Sequence, residues 1–200
     1  TLTINAIDSL SGIKSITYIG ENMVKNGDFS EGEKYWNTQV NQGGISRVLN
    51  GIAYLDDGHA LVNKIGQDRV FEDSVIGSRF YAEVTARGRG LLNSRYLTHG
   101  TGPIDKTYMQ TLKSETNFEV YRFPMTRFEN SNDDFIIERH GQNGYVEISN
   151  VTLYAQKDIT DNKLVVTQNG TYTFVVEDHA GNISTKSFTV NNIDKTISFK

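Results

Sequence analysis

The sequence has no cysteine, two prolines, one tryptophan and no marked excess of either charge: 20 Lys and Arg stand against 24 Asp and Glu in 200 residues, net −4. The missing cysteine excludes disulfide staples, thiolate nucleophiles and Cys-ligated zinc. No apolar run approaches the about 18 residues that a membrane-spanning helix needs, so membrane insertion is not expected. Near-balanced charge removes the electrostatic footprint of a nucleic-acid binder. Also missing is any stretch with apolar residues at 3.6-residue spacing. What is present is aromatic mass, ten Phe and ten Tyr, enough for a real core. The chain opens inside a strand-like run, Thr1 to Ile7, and reads as an excerpt of a longer polypeptide with no signal peptide at its start.

Period-two alternation recurs along the chain. It is clear in Thr1–Ile7, in Phe80–Arg87, in Tyr145–Ile148, in Val151–Tyr154, in Thr171–Val176 and in Lys186–Val190. In the second of these, Phe80, Ala82, Val84 and Ala86 share one face, while Tyr81, Glu83, Thr85 and Arg87 share the other. Asn-Gly and Gly-Asn pairs punctuate the runs at Asn26-Gly27, Asn50-Gly51, Asn143-Gly144, Asn169-Gly170 and Gly181-Asn182. Such pairs supply the positive φ of tight turns. Short strands with regular turn signals predict an all-β sandwich.

Composition shifts inside the chain. All nine Arg, all three Met, both Pro and Trp36 lie in the middle; residues 1–21 and 157–200 use Thr, Asn, Ile, Val and Lys. The middle carries 14 basic and 17 acidic residues, net −3. Two domains are therefore expected: residues 1–21 with 157–200, and residues 22–156. The second is inserted where an exposed loop joins two neighbouring strands.

The flanks resemble bacterial immunoglobulin-like repeats. Asp8-Ser9-Leu10-Ser11-Gly12-Ile13-Lys14-Ser15-Ile16 is similar to their opening strands. The segment from Thr167 to Asn182, with its NGTYTF turn-and-strand and D-x-AGN hairpin, is similar to their closing strands. Asn192 to Thr196 looks like the junction to a following repeat. The middle resembles carbohydrate-binding modules of families 4 and 9. The matching blocks are Met23-Val24-Lys25-Asn26-Gly27-Asp28-Phe29-Ser30-Glu31-Gly32 with Tyr35-Trp36, then Gly77 to Gly88, Phe118 to Phe123, and Gly144 to Tyr154. The first block is similar to the family's first strand. Together these resemblances imply a jelly-roll (galactose-binding-like) β-sandwich inserted into a discontinuous immunoglobulin-like β-sandwich.

The family resemblance also implies a structural Ca2+ at the sandwich edge, with Asp28, Glu31 and Asn150 as its side-chain donors. Ser149-Asn150 stands where the family has Asp-Asp, and Ser30 stands where an acidic residue is common. Calcium takes six to eight oxygens, several from carboxylates. Trp36 matches a position that packs in the core. For sugar recognition, aromatic faces and planar polar groups are the useful chemistry. Tyr81, Arg87, Arg95, Tyr96, Tyr108 and Arg122 are the candidates on a concave sheet face. Arg87, Arg89 and Arg95, with His99 and Lys106, form a local basic strip suited to carboxylate, sulfate or phosphate.

No catalytic residues are indicated. No motif places a carboxylate pair across a sugar, and His59, His99, His140 and His179 show no metal-binding spacing. The expected function is a non-catalytic glycan-binding or adhesion module of a bacterial secreted or cell-surface protein. Its partners would be a polysaccharide or glycoconjugate and the neighbouring immunoglobulin-like repeats. Two alternatives are a structural spacer or assembly domain of a surface filament or phage tail, and an accessory domain of a larger glycoside hydrolase.

Overall fold

A computed structural model describes residues 1–40, 45–56, 62–71, 74, 76–98, 108–127, 133–159 and 161–193. Every regular element among them is a strand. In chain order these are β1 (Leu2–Thr3), β2 (Ile13–Asn22), β3 (Asn37–Val40), β4 (Ile45–Leu49), β5 (Ile52–Asp56), β6 (Val62–Gln67) and β7 (Arg79–Thr98). They are followed by β8 (Tyr108–Thr111), β9 (Glu119–Thr126), β10 (Asp133–Asp158), β11 (Lys163–Leu164), β12 (Gly170–Asp178) and β13 (Ile183–Val190). The chain divides into two compact units, Thr1–Glu21 with Gln156–Lys200, and Asn22–Ala155.

The first unit is a small antiparallel assembly. β12 lies between β2 and β13, and β1 pairs with β11. Phe174 and Val175 are buried, and Phe174 packs against Tyr18 and Phe188 at ring distances of 6.1 and 5.9 Å. The hairpin after β12 closes on its own first residue. Asn182 donates to the Asp178 carboxylate from its side-chain amide at 2.7 Å and from its backbone at 2.8 Å. The alternating run Thr1–Ile7 is strand only at Leu2–Thr3. Ile7 and Leu10, which follow, are almost fully exposed. The Asp8 carboxylate accepts bonds from Leu10 N, Ser11 N and Ser11 Oγ, which turns the chain before the strand lengthens.

The second unit is an all-β jelly-roll sandwich built around two long strands. β7 pairs with β9 along Arg79–Ala86 and with β8 along Leu91–Ser94. β10 pairs with β6 along Phe135–His140 and with β5 along Tyr145–Ile148. β7 and β10 also pair with each other. One layer thus runs β9-β7-β10-β5-β4 and the other β8-β7-β10-β6-β3, with β7 and β10 passing from one to the other. Phe80, Ala82, Val84 and Ala86 face inward as their alternation predicts. They share one core with Leu55, Phe123, Val146 and Ile148 from the first layer and Ile65, Leu92, Phe135 and Ile137 from the second. Trp36 is in that core at 5% exposure, its ring 5.1 Å from Phe29 and its Nε1 donating to Asn26 O at 2.9 Å. Asn50 and Gly51, both at positive φ (53° and 74°), make the two-residue turn between β4 and β5.

Met23–Gly32, expected as a first strand, is a series of turns instead. Among the described residues two backbone bonds tie it to β10, Met23 N to Leu153 O and Val151 N to Gly27 O. Asn26 and Phe29 stand at positive φ, which breaks an extended ladder.

The passage of β7 past β10 depends on glycine. A Cβ on Gly88, whose φ is +140°, would lie 2.1 Å from Tyr145 O, and one on Gly144 would lie 2.5 Å from Arg89 O. Both obstacles are backbone, so neither moves aside. Gly88→Ala is therefore expected to cost about 3 kcal/mol or more, read as a lowered denaturation midpoint; a midpoint within error of wild type would contradict the close approach.

The Asp178 carboxyl is lowered from its ordinary 3.8 to about 2, first because Asn182 donates to its charged form. A depressed carboxyl stabilises the fold above its unfolded value and loses that contribution as pH falls through its folded value. The first unit should therefore loosen between about pH 4 and about pH 2, followed by amide hydrogen exchange in β12. Asp178→Asn should reduce that step in the profile, leaving the smaller part contributed by Asp8, whose carboxyl is also lowered.

Candidate functional site

The outer face of the β9-β7-β10-β5-β4 layer carries a row of side chains at right angles to the strands. Register builds it. Arg47 on β4 lies opposite Tyr54 on β5, and Tyr54 lies opposite Glu147 on β10. Directly opposed residues on neighbouring strands point to the same side of a sheet. Arg87 on β7 extends the row by pairing with Glu147 at 2.6 Å, and its guanidinium sits 4.6 Å from the ring centre of Phe118. At the other end Arg47 sits 5.7 Å from the ring centre of Tyr54. The sequence along the row is cation, ring, anion, cation, ring. Arg87 also donates to Thr116 O at 3.0 Å, which fixes its plane. A pocket of about 200 Å³ opens at one end, lined by Arg47, Tyr54, Asp56, Tyr145 and Glu147.

A second, shorter polar group lies on the same face of β7 and β9. Glu83 faces Arg122 in register and pairs with it at 3.1 Å. Tyr81 donates its hydroxyl to Glu83 at 3.1 Å. Burial, with the Glu83 charge next, raises the Tyr81 phenol well above its ordinary value, so it stays a neutral donor.

The expected binding residues divide into three outcomes. Arg87 and Arg122 stand on the outer face, each already paired with a glutamate. Tyr81 is on that side of β7 but only 1% exposed, so its ring offers no open platform; its hydroxyl holds Glu83 instead. Arg95, Tyr96 and Tyr108 belong to β7 and β8 by backbone, but their side chains lie outside the described residues, as do His99 and Lys106. The residues missed are Arg47, Tyr54, Glu147 and Phe118. The signal for Tyr54 was the alternation of Ile52-Ala53-Tyr54-Leu55-Asp56, in which Ala53 and Leu55 are buried, Ile52 and Tyr54 half-buried and Asp56 exposed.

The acidic edge near Gly27 does not fit a calcium ion. The Asp28 carboxylate accepts from Ser30 N at 3.2 Å and Ser30 Oγ at 2.9 Å, and these bonds lower its pKa. Glu31 is held by Lys34. Asn150 brings an amide oxygen but no charge. Among the described residues no three His, Asp or Glu side chains gather at one point.

No protein-family model and no curated protein sequence matches the chain. Among solved structures it is similar to the enzymatically active domain of bacteriophage CBA120 tailspike protein 4, at 16% identity and a TM-score of 0.49 over 67% of this chain and 21% of that one. It is also similar to a family 61 carbohydrate-binding module in complex with β-1,4-galactotriose, at 11% identity and a TM-score of 0.46 over 68% of this chain and 99% of that one. A family 4 carbohydrate-binding module gives 16% identity and a TM-score of 0.45 over 66% of this chain and 99% of that one. The chain spans about a fifth of the tailspike domain's length and almost all of each module.

Chelation with EDTA is expected to leave the melting temperature of the chain unchanged. A fall of several degrees, reversed by added calcium, would reinstate a metal at the Asp28 edge.

Proposed function

We propose that the chain is a non-catalytic glycan-binding module, with the second unit as the binding part. The observation that carries this reading is the row Arg47–Tyr54–Glu147–Arg87–Phe118. It combines aromatic rings with flat guanidinium and carboxylate groups on one open sheet face. Rings pack against the C–H patches of sugars, and the planar polar groups order their hydroxyls. Packing and ion pairing hold each group before a ligand arrives, so little ordering entropy is lost on binding. On this reading a polysaccharide or glycoconjugate lies across the strands along the row. A single weak contact of this kind gains strength by repetition along a longer chain. The first unit then serves as an immunoglobulin-like support, in a bacterial secreted or cell-surface protein.

One observation favours a different reading, a structural spacer. Arg87 and Arg122 are already neutralised by Glu147 and Glu83. Such ladders also stabilise sheets without binding anything.

A glycan array probed with the full chain separates the two. Binding to at least one polysaccharide class is expected. Tyr54→Ala and Arg47→Ala should each weaken it at least about five-fold, the equivalent of about 1 kcal/mol, with the melting temperature within a few degrees of wild type. Silence across plant, host and bacterial glycans would overturn the binding reading and leave the spacer.

A further inference from the structure

A second cavity is lined by none of the residues of the row. It is a cleft of about 620 Å³ in the second unit, between the turn segment Met23–Asn37 and the end of β6 at Gln67 to Val70. Its size falls within the about 300–1,000 Å³ of ordinary ligand clefts. Trp36, Met23 and Val70 give it an apolar floor.

Two residues of its wall are strained. Tyr35 has a φ of +70° and Arg69 a φ of +56°. Side chains with a Cβ avoid that region, and strain of this kind survives only where the surroundings impose it, most often at ligand sites. The strain at Tyr35 presents the ring rather than hiding it: the residue is 48% exposed. The ammonium groups of Lys25 and Lys34 sit 5.5 and 5.1 Å from its ring centre and hold it in place. Gln67 fixes the backbone of Lys25 from both sides, accepting from its N–H and donating to its carbonyl. Asn37 donates to the Asp68 carboxylate. The Arg69 backbone N–H donates to Asp134 at 2.9 Å, which anchors the second strained turn.

We infer that this cleft is a second saccharide subsite, taking a short stretch or the end of a neutral glycan against Tyr35. The chemistry of the wall selects that class. Lys25, Arg69 and Asn37 donate, whereas Asp68 and Glu33 accept, and the formal charges cancel. A phosphate or uronate would meet the two carboxylates, and a cation would meet Lys25 and Arg69. A polyhydroxyl chain meets both kinds of group with donors and acceptors of its own. The inference rests on the glycan reading of the preceding subsection, and two subsites on one module would raise apparent affinity for a long polymer.

The test is calorimetric titration of the full chain with an oligosaccharide drawn from the array. Two binding sites per chain are expected. Tyr35→Gly removes the ring and relieves the strained φ, so it should halve the stoichiometry while the melting temperature holds or rises. A purely structural tyrosine would not give that combination. Tyr35→Phe should keep both sites, and Lys25→Met should weaken one site at least about five-fold without touching the backbone of Tyr35. Tyr54→Ala should weaken the other site at least about five-fold and leave the affinity of the Tyr35 site unchanged. One site in wild type, or two unchanged sites in both Tyr35→Gly and Lys25→Met, would overturn the second subsite while the row reading stands. No binding by wild type would overturn both.

Discussion

Everything in the second unit depends on two strands touching where no side chain fits. At Gly88 and Gly144, β7 and β10 come so close that a single Cβ on either would meet the other's backbone. That contact lets both strands continue from one layer into the other without a break. The two layers are therefore joined covalently twice over, and the aromatic core between them is closed at that end by chain rather than by loops. The approach also sets the lateral order β9-β7-β10-β5-β4. Widen it by one methyl group and Arg87 moves away from Glu147.

The row on the outer face is a consequence of that register. No two of its members adjoin in sequence. Each strand contributes one residue, except that Phe118 comes just before β9. In a sheet a slip of one residue on any strand would send that member to the core side. The inward residues prevent the slip: Ala53, Leu55, Val146 and Ile148 alternate with the row and are buried. Hydrophobic packing below thus holds polar geometry above. The ion pair is only partly exposed, so it is worth more than a solvated pair but still modest in energy. Its main effect is orientation of the two planes.

The Tyr35 cleft is built on the opposite principle. Its segment lacks a ladder and is held by Trp36 and Phe29 pushed into the core, with positive φ at Asn26, Phe29 and Tyr35. Local geometry there is unfavourable and is sustained by burial elsewhere. Sheet and turn therefore present aromatic groups by different means, one by register and one by strain.

The all-β architecture was legible in the sequence because alternation has a period of two and needs no partner to be seen. Phe80, Ala82, Val84 and Ala86 announced an inward face, Asn50-Gly51 announced a turn, and Trp36 announced a core anchor. The composition shift at both flanks marked where one set of residue types gives way to another. The outer face was only half legible. Arg87 and Arg122 could be assigned to an outer side, but Tyr81, on that same side by alternation, is buried, because alternation reports which side a residue points to, not what lies over it. Arg47, Tyr54 and Glu147 were invisible as a group, since register between strands about 90 residues apart is fixed by the whole packed core and by no local motif. The same holds for the first block. Its residues matched a strand pattern, yet tertiary packing drew Phe29 and Trp36 inward and bent the backbone between them. Sequence determined which residues are apolar, which runs alternate and where tight turns such as Asn50-Gly51 fall. Only the tertiary structure decided which polar groups meet, because that depends on long-range contacts that no short stretch encodes.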